Sequence, residues 1–389
     1  LAVELAGPHP LLRIRTLSAF QLCIDSWSQH DRGVLSLFSE SAGRAGLESG
    51  DVWQGHQSVL IDCATRFHLG YPISDIYERL VAHGGEFRRH SQDVLWKQLT
   101  LLAATLTKLS GYRAPGDPYP IEEVEKEDFA ASVHDDSGGA LASFSDTCKV
   151  VCAYIFERYE EANEVLEKVQ ATGLVSSESE PEDTVRALYE ALVWLRLYWT
   201  LPAGKRGERW AEIRKRRNLL RKHAKLCPVN YAHKLLLIEA EMAGAKGRGR
   251  KAEELYEKSI EAARRNGHIH DLAIAAECCG QCMLRLGKQN RAKVYLTEAY
   301  EAYRRWGALA KAEQMERKYA DLLKPAPDML LGRLDYLSVV ESIQAISGEM
   351  EMDRLLDRLM KILLHNSGAE FGALLSEYDG RWVVEAYGT

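Results

Sequence analysis

The sequence predicts an all-α chain of antiparallel helix pairs that ends in the opening of an α/β unit. Three observations carry this. Apolar residues recur at spacings of three and four through Leu11 to Cys23, Ser91 to Leu109, Thr184 to Trp199 and His233 to Met242. Short turn clusters separate such segments: Gly43 to Gly50, Gly84–Gly85, Arg113 to Pro120, Asp135 to Gly139, Ser176 to Pro181 and Leu201 to Gly207. Strand-like patterning is confined to the last twenty residues.

Periodic segments joined by short breaks describe antiparallel neighbours. The 389 residues hold 46% hydrophobic and 27% charged side chains, a globular composition that excludes a disordered or fibrous chain. The net charge of −6 argues against a chain that wraps nucleic acid, and none is expected as a partner. No uninterrupted apolar run reaches about 18 residues, so no membrane segment is expected. Leu1 opens the chain without a charged n-region or an apolar core, so no signal peptide is expected, and the chain reads as a segment of something longer. Eight Cys without disulfide-framework spacing fit a reduced, cytoplasmic setting.

Internal repetition organises the helical part. Ala252-Glu-Glu-Leu-Tyr256-Glu-Lys-Ser259 places a large residue four positions after a small one, and a second small residue three further on. Ala292-Lys-Val-Tyr-Leu296-Thr-Glu-Ala299 repeats this forty residues later, and Tyr159-Glu-Glu-Ala162-Asn-Glu-Val-Leu166 is an earlier echo. Small residues let two helices approach, and the large one fills the gap between neighbouring pairs. This resembles the second helix of a tetratricopeptide repeat (TPR). The expected organisation is a TPR-like superhelix over residues 1–324, clearest in 233–323, with an irregular connection near 113–139. That connection has a helical turn after Tyr119.

The pattern changes at Lys324-Pro-Ala-Pro-Asp328, where two prolines end the array. Residues 325–351 are expected as a linker and connector helix, with Leu330, Leu334, Leu337, Val340 and Ile343 forming one stripe: either a coiled-coil seam or a face packed on its own domain. Met352 to His365 is a further amphipathic helix. Two apolar runs, Phe371 to Ser376 and Trp382 to Ala386, flank Asp379–Gly380, a hairpin-turn signal.

Four stretches could carry chemistry. His268, His270, Cys278, Cys279 and Cys282 offer metal-ligand types, but without paired C-x2-C or H-x3-5-H spacing the cysteines read as core. Gly244-Ala-Lys-Gly247-Arg-Gly249-Arg-Lys251 is glycine-rich and basic, yet lacks the phosphate-loop order and reads as an inter-helix turn. Lys205 to Lys225 holds ten Lys or Arg against Glu208 and Glu212, with Trp210, Ile213, Leu219 and Leu220 as a buried stripe. Its Lys205, Arg206, Arg209, Arg214, Arg217 and Arg221 form a candidate interaction patch for an acidic surface, or else a solvated helix face. No hydrolase motif is present, and Glu122–Glu123 and Asp135–Asp136 lie in loops, so no residue is assigned a catalytic role and no cofactor is expected in this segment.

From Cys227-Pro-Val-Asn230-Tyr-Ala-His233-Lys onward, the succession resembles the middle region of the very large hybrid sensor histidine kinases. Tyr303-Arg-Arg-Trp-Gly-Ala308 and Gln344-Ala-Ile-Ser-Gly348 are the most distinctive pieces. The resemblance implies upstream serine/threonine-kinase-like and AAA-type ATPase domains, a helical repeat region, a GAF domain and a histidine kinase. Residues 352–389 are then the N-terminal part of the GAF domain. The resemblance also implies ATP in the parent's other domains, neighbouring domains of the same chain as partners, a protein partner on the superhelix, and dimerisation through the parent. The implied function is regulatory relay between the ATPase/kinase-like module and the GAF/histidine kinase output. Two alternatives stay open: a stand-alone helical-repeat adaptor, and the sensor region of an ATPase-type transcriptional regulator.

Overall fold

A computed structural model describes residues 52–89, 93–113, 116–124, 126, 140–171, 181–323, 371–378 and 381–388. Residues up to Leu323 form one unit and those from Lys324 a second. Among the described residues the first unit is all-α. Helices α1 (Val52–Leu69), α2 (Ile73–Arg89) and α3 (Asp93–Ser110) lead to a short 3-10 turn at Ile121–Glu123. Then follow α4 (Ala140–Ile155), α5 (Tyr159–Ala171), α6 (Pro181–Leu197), α7 (Ala203–Leu226) and α8 (Pro228–Ala245). The last four are α9 (Gly249–Arg265), α10 (Ile269–Arg285), α11 (Gln289–Trp306) and α12 (Leu309–Lys318). Consecutive helices from α6 to α12 pack on one another, and α6 and α10 each also touch α8, the next helix but one along the chain.

One turn geometry recurs from α8 onward. Gly247, Gly267, Gly287 and Gly307 stand twenty residues apart, all with positive φ, between 72° and 89°. In each case the next residue's N–H bonds the carbonyl five residues back: Arg248 to Ala243, His268 to Ala263, Lys288 to Met283 and Ala308 to Tyr303. This is a Schellman-type close, which satisfies carbonyls that a helix end leaves bare. The carbonyl of that same residue then accepts the first N–H bond of the following helix, from Ala252, Leu272, Ala292 and Ala312. A break of three residues, or two before α12, with the same hydrogen bonds therefore reverses the chain every twenty residues. The Phe156–Arg158 turn does the same with Glu157 at the left-handed position (φ 62°), although a Cβ is disfavoured there.

The repeating small and large positions meet inside. Ala252, Tyr256, Ala292, Leu296 and Ala299 are fully buried, and so are Ala162 and Leu166 of the earlier echo. Gly280 of α10 lies against Leu296 of α11, where a methyl group would come within 2.6 Å of Leu296 Cγ. That contact lets the best-packed helix pair approach closely.

The N-terminal helices pack against the end of the array. Gly307 abuts Ile73, Gly111 faces Ala310, and α12 packs on α3. The Phe67 and Trp306 rings lie 5.8 Å apart, and the His270 ring lies tilted against Trp306 at 5.5 Å. Helix α10 is consequently buried on nearly every side, with every residue from His270 to Gly280 inaccessible.

Several expected boundaries shift. Gly84–Gly85 falls inside α2 rather than in a turn, because the bare Cα of Gly84 admits Pro118 of the connection against the helix. Gly204 and Gly207 lie in the first turns of α7, not between helices. Pro181 does open a helix, where its missing N–H costs nothing. In the second unit, β1 (Gly372–Tyr378) pairs antiparallel with β2 (Arg381–Gly388). Tyr378 lies opposite Arg381, and a register shift follows Leu374. The segments expected as helices at 11–23, 329–348 and 352–365, and the turns at 43–50 and 135–139, lie outside the described residues.

The turns make a graded prediction. Gly247→Ala adds only left-handed strain in open space, and should cost about 1–2 kcal/mol. Gly70→Ala carries the same strain (φ 75°) and also drives a methyl into the buried His270 ring, so its urea midpoint should fall clearly further. Equal midpoints would show that Gly70 and His270 do not touch.

Candidate functional site

Helix α7 carries the basic residues singled out in the sequence, and the structure divides them. Arg206 donates to the carbonyls of Leu201 and Trp199 and lies 5.0 Å from the Trp199 ring. Arg209 sits 4.7 Å from the ring of the buried Trp194. Arg216 pairs with the buried Glu190, and Arg221 with Glu239 at 2.6 Å. Arg217 donates to Asn218. These side chains tie α7 to α6 and α8 or to their own helix. Lys205, Arg214, Lys222 and Lys225 are exposed and form no ion pair among the described residues. Ile213 and Leu220 are buried as the sequence implied, while Trp210 and Leu219 are half-buried.

The cysteine–histidine stretch is α10 and the turn before it. Its thiols are buried in the core. Burial pushes Cys278 up to about 12 and raises Cys279 as well, so both hold their protons. Cys278 Sγ instead receives a hydrogen bond from Arg196 Nη2 at 2.9 Å and lies 3.4 Å from the Tyr154 hydroxyl.

At the N-terminal end of α10 the structure builds a cluster that spacing did not reveal. Asp271 is 3% exposed, yet takes a hydrogen bond from His233 Nε2 at 2.7 Å and an ion pair from Lys234. His270 Nε2 lies 3.4 Å from the same carboxylate oxygen. The His233 and His268 rings stack with centroids 4.4 Å apart. Burial opposes ionisation of Asp271, but His270, Lys234 and the His233 hydrogen bond together hold its carboxyl well below the usual range. Burial drives the buried histidines the other way: His270 falls to about 3 and His268 lies well below 6.5.

Ligand atoms of His233, His268 and Asp271 lie within 4.8 Å of one another, the spacing of a metal site. The donor set does not suit a metal. The Lys234 ammonium already shares the Asp271 oxygen, so a cation there would meet a like charge at contact distance. The cluster is a neutralised structural ion pair.

Two further networks cross the fold. Lys311, with no exposed surface, donates to Glu277 Oε1 at 2.7 Å, and also reaches Gln314 and Glu157. Glu157 in turn pairs with Lys318, and Tyr303 donates to Glu277. The strained turn at Glu157 is thus bound to α10 and α12. Glu241 Oε1 accepts from Arg196 at 3.0 Å and from the Tyr256 hydroxyl at 2.6 Å. One signal for such sites was visible in advance: Lys311 interrupts the buried Ala308–Ala312 pair, and a charge at a core position must find a partner.

Among the described residues no helix is long and apolar enough to cross a membrane. Compared with known proteins, the sequence matches no protein-family model and no curated protein.

The histidine cluster sets a pH dependence. A histidine held below its ordinary 6.5 stays neutral in the fold while the unfolded chain takes up a proton, so stability is full above pH 6.5 and falls as pH drops toward about 3. His270→Gln removes one such group, and should flatten the acid limb of unfolding free energy by about 1.4 kcal/mol per pH unit. A parallel limb in the variant would mean that His270 titrates normally. Separately, Lys311→Ala leaves Glu277 buried without its cation, and should lower stability by about 3–5 kcal/mol in denaturant titrations.

Proposed function

We propose that the chain is a regulatory, protein-interaction segment of a multidomain signal-transduction histidine kinase of the hybrid type. In this reading residues up to 324 are a TPR-like helical-repeat region and residues 352–389 open a GAF domain. The segment relays a signal between an upstream ATPase/kinase-like module and the downstream GAF/histidine kinase output. The observation that carries the reading is the twenty-residue recurrence of one turn geometry at Gly247, Gly267, Gly287 and Gly307, with small and large residues meeting at matched positions. A constant repeat stacks helix pairs into a surface for other proteins rather than a reaction pocket. The antiparallel hairpin at 372–388 agrees with the α/β opening of a following domain.

The chemistry of the described residues supports relay. Their buried charges are consumed in internal ion pairs, and the buried thiols Cys152 (about 11) and Cys278 (about 12) are protonated. The segment itself is assigned no catalysis, and ATP belongs to other domains of the parent. Lys311 of α12 pairs with Glu157 in the α4–α5 turn, so segments more than 150 positions apart are tied directly. Lys205, Arg214, Lys222 and Lys225, exposed and with no ion pair among the described residues, give α7 a surface charge suited to an acidic protein partner.

The test uses the native polypeptide. An antibody against residues 203–323 should capture a protein far larger than 43.8 kDa that autophosphorylates on histidine with ATP. Capture of a protein near 43.8 kDa without kinase activity would overturn the reading in favour of a stand-alone adaptor.

A further inference from the structure

A cavity of about 300 Å³ opens beside the α8–α9 turn, lined by Arg196, Trp199, Glu241, Gly247, Arg285 and Leu286 among others. That volume is at the lower end of the range for small-molecule sites. Its wall keeps cationic groups beyond those that the internal pairs of the fold use. Arg196 is buried, with 7% of its side chain exposed, and its Nε has no hydrogen-bond partner. The one carboxylate in the wall, Glu241, already accepts hydrogen bonds from Arg196 and Tyr256. Arg285 is exposed and forms no ion pair among the described residues, which leaves its charge uncompensated.

The turn adds to this. Gly244, Gly247 and Gly249 present bare backbone to the cavity, and Gly249 is the first residue of the seventeen-residue helix α9. The N–H groups of a helix's first turn have no partner within the helix, and they favour an anion. The rim is apolar: Trp199 is 61% exposed and Leu286 44% exposed. Trp199 is nevertheless held in place, because Arg206 bonds its carbonyl and lies over its ring. An exposed indole fixed in this way is a platform for a planar group.

We propose that this cavity binds a small organic anion: one carboxylate or phosphate group facing Arg285, Arg196 and the start of α9, on an aromatic body of about one ring resting on Trp199 and Leu286. The glycine-rich basic stretch Gly244 to Lys251 thereby acquires a binding role by a route other than a phosphate loop. The inference is independent of the kinase assignment, since it needs only the α6–α8–α9–α10 packing.

Calorimetric titration of the full chain tests it, with benzoate and phenyl phosphate as the two anionic probes and benzyl alcohol as the neutral one. At least one anion should bind saturably and at least tenfold more tightly than the alcohol, and the stronger of the two identifies the acid group. Arg285→Ala and Trp199→Ala alter exposed side chains, so melting temperatures should hold while anion affinity falls at least tenfold in the first and severalfold in the second. The proposal is overturned if neither anion saturates, if benzyl alcohol binds equally well, or if Arg285→Ala binds as the parent does.

Discussion

Helix α10 has almost no solvent face, and the arrangement of the other helices follows from that. A helix in the middle of a helical array normally keeps one face in water, and its polar residues collect there. Here the face that would have been wet is covered by the ends of α1 and α4, so Asp271, Glu277 and Cys278 are enclosed with the aliphatic side chains. Each enclosed polar group must then be matched from another element. Lys234 and His233 serve Asp271, Lys311 and Tyr303 serve Glu277, and Arg196 serves Cys278. The positions of α6, α8, α11 and α12 are registered against α10 through these pairs.

Such pairs supply definition more than net stability. Burying two charges costs about as much as their attraction returns, whereas removing one partner leaves the other exposed to the full desolvation penalty. The array is therefore intolerant of small slips between helix pairs. A purely apolar seam could slide by a fraction of a turn, but Lys311 cannot leave Glu277 without stranding it. The left-handed Glu157 illustrates the trade. Its backbone sits where glycine is favoured, and its carboxylate anchors Lys311 and Lys318, more than 150 positions later in the chain. Local strain is offset by a long-range tie.

Surface and interior charges have separate duties. The basic residues of α7 read in the sequence as one patch, yet Arg206, Arg209 and Arg221 are occupied by rings, carbonyls and Glu239. The charge of that helix that meets no ion pair among the described residues lies instead at Lys205, Arg214, Lys222 and Lys225. Local composition counts charges. The fold decides which of them are spent.

The sequence by itself determined the helix class, the inter-helix turn within Gly244–Lys251, the hairpin at 372–388 and the identity of the small and large interlocking residues. Each of these depends on neighbours within one or two turns, so periodicity and a glycine at a left-handed position suffice to specify it. It misplaced Gly84–Gly85 and the start of α7, because a glycine that admits Pro118 against a helix looks the same as one that ends a helix. Only the tertiary structure decided that α1–α3 close on α10–α12, that Arg196 lines a cavity with Arg285, and that His233, Lys234 and Asp271 converge. The reason is physical: helical periodicity states which face is buried but not which distant helix buries it, and that choice is made by packing among residues tens to more than a hundred positions apart.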